Sequence, residues 1–108
     1  MIEVIYHREH NRVTITGHAH SDEYGKDLVC AGVSALALTL GANVSNMASK
    51  DYVTACTIRL DPGDAEISCN PRTRYKASVK QVLMSVCVGF EILASKYPEY
   101  ISYSVRGW

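Results

Sequence analysis

The chain has 108 residues, 47% of them hydrophobic and 20% charged, and its eleven basic and eleven acidic side chains cancel at neutral pH. That length supports one core, so residues 1–108 read as a single domain. A balanced charge, concentrated nowhere, excludes direct recognition of nucleic acid or of an anionic membrane by field alone.

Ile2 to His7 reads as a strand with Ile2, Val4 and Tyr6 on one face. His10-Asn11-Arg12 turns the chain, and Val13 to Gly17 resumes the alternation, which predicts an antiparallel hairpin. His18 to Lys26 is polar and predicts an exposed loop. Asp27 stands where a helix N-cap belongs. After it Val29, Val33, Leu36, Leu40, Val44 and Met47 recur at spacings of three and four, the buried stripe of a helix that Ser49-Lys50-Asp51 closes. The small residues Ala31, Gly32, Ser34, Ala35 and Ala37 predict close packing against a sheet or a second subunit, with Gly32 and Gly41 as contact points.

Thr54 to Leu60 alternates again, Asp61-Pro62-Gly63-Asp64 is a strong turn signal, and Ala65 to Cys69 completes a second hairpin that Asn70-Pro71-Arg72 breaks. A second helix is predicted from Thr73 or Arg74 to Tyr97, striped by Val79, Val82, Leu83, Val86, Phe90, Leu93 and Tyr97 and ended by Pro98. Ile101, Tyr103 and Val105 make a last strand. This ββαββαβ order predicts an α+β two-layer sandwich, a mostly antiparallel sheet of about five strands with two helices.

Met1-Ile2-Glu3-Val4 lacks the basic and apolar regions of a secretion signal. The apolar stretch from Leu28 to Val44 is interrupted by Ser34, Thr39, Gly41 and Asn43, and is short for a membrane span. A reducing cytoplasm is therefore expected, with Cys30, Cys56, Cys69 and Cys87 as free thiols. No CxxC pair suggests a structural zinc site.

Cys56, Cys69 and Cys87 fall on the apolar side of their elements and read as buried small hydrophobes. Cys30 differs. With Asp27 as N-cap it is the third helical residue, where the helix dipole and free N–H groups favour the thiolate and suit an oxyanion. Burial in the stripe is the alternative for Cys30, and plain solvent exposure is the alternative for His18. The loop between them is long enough to bring the two together, so that His18 accepts the thiol proton and later protonates a leaving amine. Asp27 has two readings, a cap or an orienter of His18. Ser34, one turn beyond Cys30, supports the site from the same helix face. The loop Ala19–Lys26 reads as a lid, with Gly25 permitting movement and Tyr24 as a wall. His18, His20 and Cys30 form a metal-site alternative.

The stretch GHAHSDEYGKDLVCAGVS resembles the signature of the ribosomal-processing cysteine protease family, often called Prp. Its pattern is Gly-His-Ala, a short loop with Gly-x-Asp, an apolar residue, Val-Cys-Ala, a small residue, an apolar residue and Ser. Those positions are Gly17, His18, Ala19, Gly25, Asp27, Leu28, Val29, Cys30, Ala31, Gly32, Val33 and Ser34 here. The resemblance implies a small α+β fold, a homodimer, a His–Cys dyad at His18 and Cys30, and neither cofactor nor metal. It implies a cytoplasmic bacterial endopeptidase that removes the apolar N-terminal extension of large-subunit ribosomal protein number twenty-seven. Cleavage would fall after paired Phe and before an Ala. The family pattern assigns His20 no role. A reading from a different class is a non-catalytic binding module that assists the ribosomal protein or large-subunit assembly.

Overall fold

The alternating runs pair as their turn chemistry directs. The computed structural model describes residues 1–18 and 24–107, with the backbone alone at 24 and 25. β1 (Ile2–His7) and β2 (Arg12–Thr16) form an antiparallel hairpin with Val4 opposite Ile15 and Tyr6 opposite Val13. Asn11 takes the left-handed conformation between them (φ 48°), which its short polar side chain tolerates. β3 (Val53–Asp61) and β4 (Asp64–Pro71) form the second hairpin, and β4 adds antiparallel to β2 with Ile67 opposite Val13. β5 (Ile101–Arg106) pairs parallel with β1, Ile101 beside Ile2. The sheet order is β3-β4-β2-β1-β5, a mixed, mostly antiparallel sheet with β3 and β5 at its edges.

α1 (Tyr24–Ser49) and α2 (Lys76–Lys96) cover the face that carries Val4, Tyr6, Val13, Ile67 and Ile101. The opposite face presents Glu3, Thr14, Thr16, Ser68, Ser102 and Ser104, none of which is buried, around one buried residue, Ile5, and no helix covers it, so the architecture has two layers. The stripe of α1 is buried at Val29, Val33, Leu40, Val44 and Met47, joined by Ala37. Leu36 is half-buried and lies over Gly89 of α2. In α2 Val79, Leu83, Cys87 and Phe90 are buried, and Val82, Val86, Leu93 and, just past the helix end, Tyr97 line the edge of the core. Lys80 ties α2 to the β1–β2 turn, donating from Nζ to the Arg8 carbonyl (2.7 Å) and to Asn11 Oδ1 (3.2 Å).

Four sequence expectations change. α1 begins at Tyr24, three residues before Asp27, so Asp27 is not its N-cap but an acid in its first turn. β4 runs through Pro71 and is not broken at Asn70, because a proline at a strand end forfeits little of the ladder. Cys56 is exposed. It shares the helix-facing register with Cys69, but it stands on edge strand β3, where Ile58 and Leu60 are also exposed. Finally, α1 and α2 are long and apolar enough, by length and composition, to cross a membrane. Here each lays its stripe on the sheet.

Two of the small residues of α1, Gly32 and Gly41, meet side chains of other elements. A Cβ at Gly32 would lie 3.0 Å from Leu93 Cδ1 of α2, and one at Gly41 would lie 3.2 Å from Ile58 Cγ2 of β3. These close approaches set α1 against α2 and against the sheet edge. Each position thus has a packing neighbour within the chain.

Candidate active site

β2 ends at Thr16, and Gly17 turns the chain with φ +93°, a conformation that strains any residue carrying a Cβ. A Cβ there would also collide with the Met1 carbonyl oxygen. The Gly17 N–H donates to the Gly63 carbonyl (3.0 Å), and the Met1 nitrogen donates to the His18 carbonyl (2.9 Å). The backbone around His18 is therefore held from two sides. Gly17→Ala is expected to destabilise the fold by ~2 kcal/mol from backbone strain alone. A urea titration checks this, and an unchanged midpoint would contradict it.

From this anchor His18 stands exposed at the mouth of a cleft of about 450 Å³. Cys30, Ser34 and Leu38 of α1 form one wall, and Leu60 to Ala65 of the β3–β4 hairpin form the other. Ile2 and Ile15 supply its apolar floor. Cys30 and Ser34 share a helix face one turn apart, so both line the same wall. The arrangement unites a thiol, an imidazole and a hydroxyl over an apolar trough, which is the equipment for acyl transfer to a cysteine.

Cys30 is half-buried and is the seventh residue of α1, not the third. Only the first four N–H groups of a helix are free, and the dipole effect fades beyond the first turn. The proposed oxyanion donors at the helix start therefore belong to residues about a turn before Cys30. Asp27 is exposed and is not among the residues lining the cleft. Tyr24 and Gly25 belong to the first turn of α1 and not to a loop. Ala19 and His20 lie outside the described residues, as does the side chain of Tyr24. Among the described residues no group of three or more His, Cys, Asp or Glu is placed to hold a metal.

The hairpin wall was not anticipated. Asp61-Pro62-Gly63-Asp64 read only as a turn, yet it reaches His18. Pairing of Thr16 with Asp64 carries the turn alongside the end of β2.

The remaining cysteines separate by burial. Burial pushes the Cys69 and Cys87 thiols up from their ordinary 9.0 to about 11, while Cys56 lies open to solvent. Brief alkylation of the folded protein at mildly alkaline pH is expected to label Cys30 and Cys56 and to spare Cys69 and Cys87. Labelling of all four at one rate would overturn this. The raised values also carry a sign: the folded state keeps protons that the unfolded chain releases, so this stabilisation is complete below pH 9.0 and is lost as pH rises towards about 11.

The family model that matches this chain is that of the cysteine protease Prp, over residues 1–102. No curated protein matches it. Among solved structures it is similar to SMU.848 from Streptococcus mutans, with 25% identity and a TM-score of 0.66 over 96% of this chain and 90% of that one. It is also similar to the essential ribosomal processing protease Prp from S. aureus with a covalently linked product peptide, with 22% identity and a TM-score of 0.69 over 97% of each chain. The same S. aureus protease with a substrate peptide gives 22% identity and a TM-score of 0.67 over 97% of each chain.

Proposed function

From the premise that the chain belongs to the cysteine protease Prp family, we propose that it is an endopeptidase with a dyad of Cys30 and His18. Its substrate in this reading is the N-terminal extension of large-subunit ribosomal protein number twenty-seven, cut after paired Phe and before Ala. The observation that carries the proposal is the opening of His18 and Cys30, twelve residues apart, onto one cleft. The apolar trough suits an apolar peptide. The S. aureus protein, which shares this fold, is a ribosomal processing protease crystallised with peptides.

In this mechanism His18 takes the proton of the Cys30 thiol, and Sγ attacks the scissile carbonyl. The tetrahedral intermediate collapses as His18 returns the proton to the departing amine, leaving a thioester on Cys30. Water then enters, gives a proton to His18, and hydrolyses the thioester to regenerate the thiol. Ser34 supports the site or the peptide from the helix wall. Asp27, one turn before Cys30, is the supporting acid of the same proposal. In the same proposal the segment Ala19–Lys26 is a lid over the peptide, with Gly25 permitting the movement.

Mass spectrometry of a peptide spanning the extension and the mature start tests the activity. A single new amino terminus at the Ala is expected, and an intact peptide after long incubation would overturn the assignment. The cytoplasmic homodimer completes the proposal. Equilibrium sedimentation showing a monomer at every concentration would remove that part.

A further inference from the structure

We propose that Gly63, at the tip of the β3–β4 turn, is a positioning residue for His18. It sets the imidazole in the cleft by leaving empty the space that any other residue's Cβ would fill. The inference rests on the dyad reading above. A Cβ built on Gly63 would collide with Nε2 and Cε1 of the His18 ring and lie 2.9 Å from Cδ2. The ring is thus seated directly against the glycine backbone.

The same residue also holds the backbone beside His18, through the Gly17 N–H donated to its carbonyl (3.0 Å). Side chain and main chain of the histidine segment therefore depend on one turn residue.

That turn is itself fixed. Arg59 Nη1 donates to the Asp64 carbonyl (3.0 Å), pairs with the Asp64 carboxylate (2.8 Å) and approaches that of Asp61 (3.5 Å). The β2–β4 pairing holds Asp64 beside Thr16. An exposed histidine without such a seat would sample several rotamers. A general base must come within hydrogen-bond reach of its proton, and a misplacement near 1 Å costs on the order of 10²-fold in rate. Gly63 keeps open the position over the cleft that the ring occupies.

A turn role alone would also select glycine here, because φ is +72° and Pro62 precedes it, as in a type II turn. Asparagine separates the two roles, since it tolerates positive φ but carries a Cβ. In the full chain Gly63→Asn is expected to lower kcat on the extension peptide by on the order of 10-fold to 10²-fold with little change in KM. Its alkylation profile at Cys30, read in a Cys56→Ser background, is expected to move towards that of His18→Ala. A melting cycle adds a readout that needs no catalysis. Gly63→Asn should lower the midpoint in the wild-type background and lose most of that effect in His18→Ala, where no ring occupies the space.

Wild-type kcat and an unmoved alkylation profile in Gly63→Asn would overturn the positioning role. So would equal melting losses in both backgrounds. If the wild type cleaves no such peptide, the functional reading falls, and the melting cycle alone decides whether Gly63 seats His18.

Discussion

Cys30→Ala is expected to reduce cleavage of the extension peptide by ~10⁴-fold or more, as loss of a catalytic nucleophile does elsewhere, and to leave the fold intact. In the proposed dyad the Cys30 sulfur is the atom that bonds to the acyl group, and the Ser34 hydroxyl, one turn along the same wall, is a far weaker nucleophile than a thiolate. Stability should not suffer. Cys30 is half-buried in a helix interior, and alanine has the better helix propensity. The variant should still bind the peptide, which separates the enzyme from a binding module: wild type would change the peptide's mass, Cys30→Ala would not. His18→Ala is expected to fall by a smaller factor, ~10²-fold to 10⁴-fold, the usual contribution of a positioned acid–base group. Unimpaired cleavage by Cys30→Ala would end the dyad proposal.

The largest expected loss of stability lies at Phe90. Its ring is 0% exposed on α2, in the core cluster with Leu83 and Ile101. Phe90→Ala removes most of that side chain from a site bounded by a sheet and two helices, which leave little freedom to collapse. A cost of ~3–5 kcal/mol is expected, a large share of the ~5–15 kcal/mol that holds a domain together. Thermal melting should show a fall of about 15 °C or more. A shift under a few degrees would mean that the core closes over the void.

Most of the fold is legible in the sequence because both periodicities are strong. Ile2, Val4, Tyr6, Val13 and Ile15 alternate and are buried, and five of the six α1 stripe positions are buried as well. What alternation does not encode is which strand stands at an edge. Cys56, Ile58 and Leu60 therefore read as core and are exposed on β3. The start of α1 was misplaced for a local reason: Tyr24-Gly25-Lys26 has the composition of a loop, whereas helical hydrogen bonding already includes it. That His18, Cys30 and Ser34 line one cleft follows from their places at strand end, helix and next helical turn. Gly63 was not legible in the sequence. Its place beside His18 follows from the pairing of β2 with β4, whose partners are some fifty residues apart, and no local pattern reports that register.

The parallel pairing of β1 with β5 has a consequence for synthesis. Ile2, on the floor of the cleft, is bordered by Ile101 across a separation of 99 residues. Such a contact is among the slowest kinds to form, because almost the whole chain must close into a loop first. A nascent chain that has not released Ile101–Arg106 keeps the outer edge of β1 unpaired, so the trough lacks its far support. The floor of the cleft is therefore expected to reach its folded form only after Ile101–Arg106 has paired with β1.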